Sequence, residues 1–148
     1  MKPGVDYVGI ATPFFAIDQD RYLALHRRTA ACRDEHGHWD AGSGQLEFGR
    51  EPAENALAEL AEEYGCTGTI IDTIPPHVLI REHESDTTCW LLIPFFIRVR
   101  RSDVTLREPH KHTDLTWATL STLPEPLHTG FAYVLERYRD RFEKHLRG

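Results

Sequence analysis

The apolar positions of this chain fall into two β-type runs, one strongly amphipathic helix, a second group of β-type runs and a closing amphipathic helix. Residues 7–17 are rich in β-branched and aromatic side chains, and residues 22–27 resume after the turn-prone Asp18-Gln19-Asp20, which predicts a hairpin. Residues 29–40 keep no sustained period and read as a surface loop. A short strand is predicted over 46–48, ended by Gly49. A helix is predicted over 52–64, with Pro52 suited to a first helical position, Glu51 and Glu54 near the positive end of the dipole, and Gly65 placed to stop it. Strands follow around 68–74, 77–81 and 89–100; in the last, Pro94 implies an edge or a bulge. A short strand over 113–117, a helical turn over 120–123 and a helix over 128–146 complete the chain, the last with Phe131, Val134, Leu135, Tyr138 and Phe142 on its apolar stripe. Mixed strands with one central and one terminal helix predict an α/β layered sandwich in a single domain over residues 1–148.

The central helix carries the chemistry. At about 100° per residue Ala53, Leu57, Leu60, Ala61 and Tyr64 gather on an arc that faces a core. Glu59, Glu62 and Glu63 share another arc. Like charges at i,i+3 and i,i+4 cost only about 0.2–0.5 kcal/mol per pair, so the helix taken alone reads more simply as a solvated acidic face. The run before it, Ser43-Gly44-Gln45-Leu46-Glu47-Phe48-Gly49, changes the picture. Mg²⁺ combines a few carboxylates with water and substrate phosphates, and a tight glycine loop can aim a backbone carbonyl at the same ion while a diphosphate approaches closely. Such an ion lowers the pKa of a bound water and neutralises charge on an anhydride.

A net charge of −6 with both signs interspersed argues against binding nucleic acid or an anionic membrane. No signal peptide or membrane span is visible in the sequence. Cys32, Cys66 and Cys89 are odd in number and share no metal-ligand spacing, which reads as reduced thiols in a cytoplasm.

From Gly44 onward the residues resemble the box of the Nudix hydrolases: glycine, five residues, glutamate, seven residues, then Arg-Glu-aliphatic-any-Glu-Glu-any-Gly-aliphatic. This chain has Gly44, five residues, Arg50, seven residues, then Ala58-Glu59-Leu60-Ala61-Glu62-Glu63-Tyr64-Gly65-Cys66. The resemblance reaches beyond the box to the strand ending in Arg27, to Trp39 and to Trp117, and so covers most of the chain. It departs at Arg50 and Ala58, which replace the glutamate and arginine that brace the loop in the family, and at Ser43, which replaces the first of two glycines. Losing both partners is less damaging than losing one, because no uncompensated charge remains.

The resemblance implies a Nudix-like α/β/α sandwich with a mixed sheet. It also implies an Mg²⁺-dependent hydrolase, with Mn²⁺ as a substitute, in which Glu59, Glu62, Glu63 and the backbone carbonyl of Ser43 bind the metal and Glu47 supports the site. Leu46-Glu47-Phe48-Gly49, Glu108-Pro109-His110-Lys111, Trp117 and Leu123-Pro124 look like the MutT-like branch, whose members hydrolyse nucleoside triphosphates to monophosphate and pyrophosphate. The proline that marks ADP-ribose-hydrolysing relatives is absent near Arg81-Glu82. Hydrolysis of ADP-ribose or a nucleotide sugar, and a nucleotide-sensing module without turnover, are the alternatives; a homodimer is compatible with each.

Gly44, Arg27, Arg28 and Arg33 are the candidates for contacts to substrate phosphates, with Arg27 preferred because relatives carry an arginine at this strand end. Trp39, Phe48 and Trp90 are candidates for stacking a base. Glu82, Glu84, Glu108 and Asp114 are candidates for a further ligand or a general base. His110 and His112, alternating with Lys111 and Thr113, read as a solvated strand edge rather than a metal site.

Overall fold

The computed structural model describes residues 1–83 and 86–148. Its elements are β1 (Gly9–Ala11), β2 (Phe14–Ile17), β3 (Leu23–Arg28), β4 (Trp39–Asp40), α1 (Pro52–Tyr64), β5 (Thr69–Thr73), β6 (His77–His83), β7 (Asp86–Leu92), β8 (Phe95–Arg98), a single 3₁₀ turn (Arg101–Asp103), β9 (His112–Ala118), α2 (Thr129–Arg137) and α3 (Arg139–His145). The larger sheet runs β4-β3-β2-β8-β5, with β9 on the other side of β3; the smaller runs β1-β7-β6.

All four residues of β2 are buried, so it is covered on both faces and needs no polar side. Phe14 and Ala16 pack with Ala56, Leu60 and Tyr64 of α1, whereas Phe15 and Ile17 pack with Phe131, Val134 and Phe142 of α2 and α3. Strands β3 and β8 obey the same alternation, which makes the mixed sheet the middle layer of an α/β/α sandwich.

The run expected as one strand over 7–17 is two strands, and so is the run over 89–100. The breaks lie side by side. β1 pairs β7 in parallel with Ala11 opposite Leu92, and β2 pairs β8 in parallel with Phe14 opposite Phe95, which sets Pro13 opposite Pro94. Neither proline has an N–H to give to a ladder, so the sheet is creased there and its two parts separate. The strand expected over 46–48 is absent: Gly42 and Gln45 make isolated bridges to Phe14 and Ala11 instead. Residues 120–123 form a turn rather than a helical one.

The closing helix breaks at Tyr138 (φ −118°, ψ 36°). Beyond the break Phe142 packs under Phe15 and Phe96, its ring centroid 4.9 and 5.0 Å from theirs. No helix among the described residues is long and apolar enough to cross a membrane.

Candidate active site

Helix α1 begins at Pro52 and ends at Gly65, whose φ of +65° is the left-handed cap conformation that favours glycine. Within it Leu60 and Tyr64 are buried as expected, but Ala61 is exposed and Ala56 takes the core position. Asn55 is fully buried, one turn before Glu59 and on the same side of the helix.

Asn55 ties the preceding loop to the helix. The Glu47 backbone N–H donates to Asn55 Oδ1 at 3.1 Å, and Asn55 Nδ2 donates to Thr12 Oγ1 at 2.9 Å and to the Gln45 carbonyl at 3.1 Å. Arg50 Nη1 donates to the same Oδ1 at 3.4 Å. The loop is also pinned from the sheet side, because Thr12 N–H donates to the Gly44 carbonyl (2.9 Å), Phe14 N–H to that of Gly42 (2.9 Å) and the Leu46 N–H to that of Ile10 (2.8 Å). Among the described residues the Ser43 carbonyl takes no backbone hydrogen bond.

This pinning lays the Gly44 backbone directly on a carboxylate. A Cβ at residue 44 would lie 2.0 Å from Glu59 Cδ, so the close approach requires glycine. Burial raises the pKa of Glu59 to about 7, reinforced by the charges of Glu62, Glu108 and Glu47 and opposed by Arg50. Burial likewise raises that of Glu63 well above the carboxylate range, with Glu59, Glu108 and Asp40 adding to it and the Ser43 backbone opposing. Glu63 is only 3% exposed, and its Oε2 has no hydrogen-bond partner among the described residues. A carboxylate group that repels itself in this way is relieved by a cation or by protons.

Glu62 is exposed, and Glu47 is exposed with its charge reaching Glu59. Of the four further carboxylates, Glu108 joins the cluster, Asp114 pairs with Arg27 at 3.6 Å, Glu82 is exposed on β6, and Glu84 lies outside the described residues.

Beside the loop a cavity of about 270 Å³ opens along the crease. Its wall includes Ser43, Gly44, Pro13, Phe15, Trp90 and Phe131, with Arg28, Arg33, Arg81, Asp40 and His128 as its charged and titratable groups. Arg33 also pairs with Asp86 at 3.5 Å. Arg27 is not on this wall; its guanidinium lies 5.6 Å from the Trp39 ring centroid. Phe48 is fully exposed. Trp90 packs its indole against Gly4 and Gly9, where a Cβ would come within 2.3 and 2.5 Å of the ring.

One end of the cavity is held by a saturated ionic network. Glu35 accepts hydrogen bonds from the Thr129 backbone N–H (2.9 Å), Thr129 Oγ1 (3.0 Å) and Arg81 (2.6 Å), and pairs with His128 Nε2 at 3.0 Å. Burial alone would raise its pKa, but the bonds from His128 and Thr129 outweigh it and lower it to about 2. This network fastens the loop after β3 to the start of α2 and to β6.

His112 corrects the sequence reading. It is buried at 9% exposure, and burial lowers its pKa to about 4. His26 is also buried, its pKa pushed well down by burial and then by His112. The three cysteines form no disulfide; Cys66 is buried and the other two are half-buried.

Neither residue pattern nor charge pointed to Asn55 or His26, although Asn55 sits one turn before Glu59 and two before Glu63, a polar side chain in line with the glutamates.

No protein-family model matches the sequence, and no curated protein sequence matches it. The fold does have solved likenesses. A MutT Nudix hydrolase from Burkholderia pseudomallei superposes with a TM-score of 0.73 at 20% identity, over 90% of this chain and 99% of that one. A MutT protein from Methanosarcina mazei Go1 gives 0.74 at 22% identity, over 92% and 96%. The Nudix domain of Shewanella oneidensis NrtR, solved in complex with ADP ribose, gives 0.72 at 14% identity, over 95% and 90%. With TM-scores above 0.7 and near-complete mutual coverage, this chain has the Nudix fold.

Proposed function

We propose that the protein is a divalent-cation-dependent hydrolase of a phosphoanhydride in a nucleoside diphosphate carrying a further group, with a nucleoside triphosphate, released as monophosphate and pyrophosphate, as its substrate. The observation that carries this reading is the Gly44 backbone packed on the Glu59 carboxyl, at the head of a helix face that ends in the buried, unpartnered Glu63 oxygen. Glu59, Glu62, Glu63 and the Ser43 carbonyl would hold the ion. An all-oxygen set suits Mg²⁺, with Mn²⁺ as its substitute. Bound there, the ion neutralises charge on the anhydride and lowers the pKa of the attacking water.

The remaining roles fall to the chain itself. Asn55 holds the loop that presents Gly44 to the phosphates, a positioning role. Glu108, which faces Glu59 and Glu63 but is not carried on α1, accepts the proton of the attacking water. Glu47 adds negative charge beside Glu59. Arg33, on the cavity wall, takes a phosphate oxygen, while Arg27 steadies Trp39 and Asp114. The apolar wall of Phe15, Trp90 and Phe131 receives the base, and the cavity, at about 270 Å³, suits a group of nucleoside size. Three unpaired thiols suit a reducing, cytoplasmic setting.

A screen of nucleotides with Mg²⁺ and with Mn²⁺, resolving the phosphate products, tests the reading. Multiple turnover is expected, reduced at least about tenfold in Glu62→Gln and in Glu63→Gln, each of which removes one charge while keeping side-chain volume. Wild-type kinetics in both variants at saturating Mg²⁺ would remove the assignment. ADP-ribose belongs in the same screen, because one protein of this fold is solved with it bound. Tight nucleotide binding without turnover under either metal would favour the sensing module, which Arg50 and Ala58 motivate.

A further inference from the structure

Beneath the glutamate face lies a second group of donors. The pairing of β3 with β9 sets Arg28 opposite His112 and shifts register between Leu25 and Arg27, where Asp114 adopts a φ of +56°. The shift brings the His26 and His112 rings together, with centroids 4.0 Å apart, and Glu63 of α1 reaches the same spot. One ligating atom from each of His26, His112 and Glu63 lies within 4.8 Å of the other two, and all three residues are at least nine-tenths buried.

Their polar atoms are not spent on one another. Among the described residues Glu63 Oε2 and His112 Nδ1 have no hydrogen-bond partner, and the His112 Nδ1 to Glu63 Oε1 separation of 3.9 Å is too long for a hydrogen bond. Burying two such atoms without a partner is unfavourable, and a bound cation would relieve it. His26 is the oriented member: its Nδ1 lies 2.7 Å from Tyr64 Oη, and with Nδ1–H donating to that oxygen, Nε2 keeps its lone pair. Tyr64 is itself fully buried against Phe14, so the ring it steadies has a fixed direction.

Among the described residues the other three-residue cluster is Asp34, Glu35 and His128. There the carboxylates already take arginine, threonine and histidine donors.

We propose that His26, His112 and Glu63 form a second cation site, distinct in donor chemistry from the glutamate face, which takes a borderline transition ion of the zinc type in preference to magnesium. Two imidazoles and one carboxylate are a zinc-like set, whereas magnesium favours oxygen alone. The site shares only Glu63 with the hydrolase reading. A carboxylate has two oxygens, so one residue can face both positions. A dipositive ion here also offsets the charge of Glu59, Glu62 and Glu108.

The experiment uses full-length protein stripped with a chelator and then dialysed. Zinc is titrated in competition with a chromophoric chelator in the presence of excess Mg²⁺, and Co²⁺ is added separately to record its visible spectrum. The wild type is expected to bind one zinc ion that Mg²⁺ does not displace, and to give with Co²⁺ the intense visible bands of a low-coordinate, nitrogen-containing site. His112→Gln should weaken zinc by at least about tenfold, the scale on which even supporting residues of metal sites act. Glu59→Gln should retain zinc while losing Mg²⁺-dependent turnover. Absence of zinc binding in the wild type, equal affinity in His112→Gln, or loss in Glu59→Gln alone would overturn the site. If His112→Gln does not fold, the cobalt spectrum of the wild type decides, since the pale spectrum of six oxygen ligands would reject it. Failure of hydrolysis with zinc still bound would count against the hydrolase reading and leave this site standing.

Discussion

Replacing Asn55 with alanine should destabilise the fold and loosen the phosphate loop together. The substitution removes two accepted and two donated hydrogen bonds, each worth about 0.5–1.5 kcal/mol net, the one from Arg50 being long at 3.4 Å and on a side chain that water reaches. The other three partners then fare differently. Thr12 is fully buried and cannot recover water, so its hydroxyl bears a penalty of about 1–3 kcal/mol. Gln45 and Glu47 are exposed residues whose backbone groups can rehydrate, which leaves about 0.5 kcal/mol each. The total is about 2–4 kcal/mol, a large share of the 5–15 kcal/mol typical of a domain, and corresponds to a fall in Tm of about 6–12 °C. Urea denaturation should move the midpoint down with an unchanged m-value. Thr12→Ala in the same background should recover part of the loss, with a coupling of at least about 0.5 kcal/mol. Turnover should fall by at least about tenfold, since the loop no longer holds Gly44 on Glu59. A midpoint shift equivalent to less than about 1 kcal/mol, or additive behaviour with Thr12→Ala, would refute the claim that this one side chain braces the loop.

Two glycine substitutions should part company. Gly44→Ala meets the movable end of Glu59, so stability should stay within about 1 kcal/mol while metal-dependent turnover collapses; Gly42→Ala meets the Phe14 ring at 1.9 Å and should cost about 1–3 kcal/mol, read by thermal denaturation. Because Glu59 titrates at about 7 when folded and at 4.5 in its ordinary state, the folded protein binds the extra proton between those values, so this group's stabilising contribution is present below about 4.5 and lost as pH rises to about 7. In chelator, Glu59→Gln should therefore gain in Tm relative to the wild type across that window; a difference that is flat or falls with pH would contradict the shift, and the comparison with wild type cancels the opposing titration of His26 and His112. Arg50→Gln should push the Glu59 midpoint further up, measurable by carbon NMR titration without metal, and an unmoved midpoint would show that Arg50 does not act on the cluster.

Helix α1 was legible to the residue because its signals are local: proline at one end, glycine at the other and a 3.6-residue period between. The strands were legible as apolar runs but not as two sheets, since the crease depends on Pro13 and Pro94 meeting across a parallel pair that no local window contains. The glutamates were legible from their spacing. His112 was misread because alternation with Lys111 and Thr113 describes the strand alone, whereas its burial comes from the register shift against β3. Asn55 was missed for a related reason: a lone amide in an amphipathic helix acquires meaning only from the loop that folds back on it.

The parallel pairing of β2 with β8 also sets a timetable for the folding of this chain. Phe14 and Phe15 find their strand partners at Phe95 and Phe96, eighty-one residues later, and the cover of one face comes later still, from Phe131, Val134 and Phe142 among others. At a synthesis rate of about 5–20 residues per second, a doubly apolar strand waits about 4–16 s for its neighbour and longer for its cover. Such non-local pairing closes slowly even in the free chain. The segment Phe14–Ile17 is therefore where a nascent or heated molecule is most exposed to self-association, and the charged turn of Asp18, Gln19 and Asp20 that follows it is placed to act as its gatekeeper.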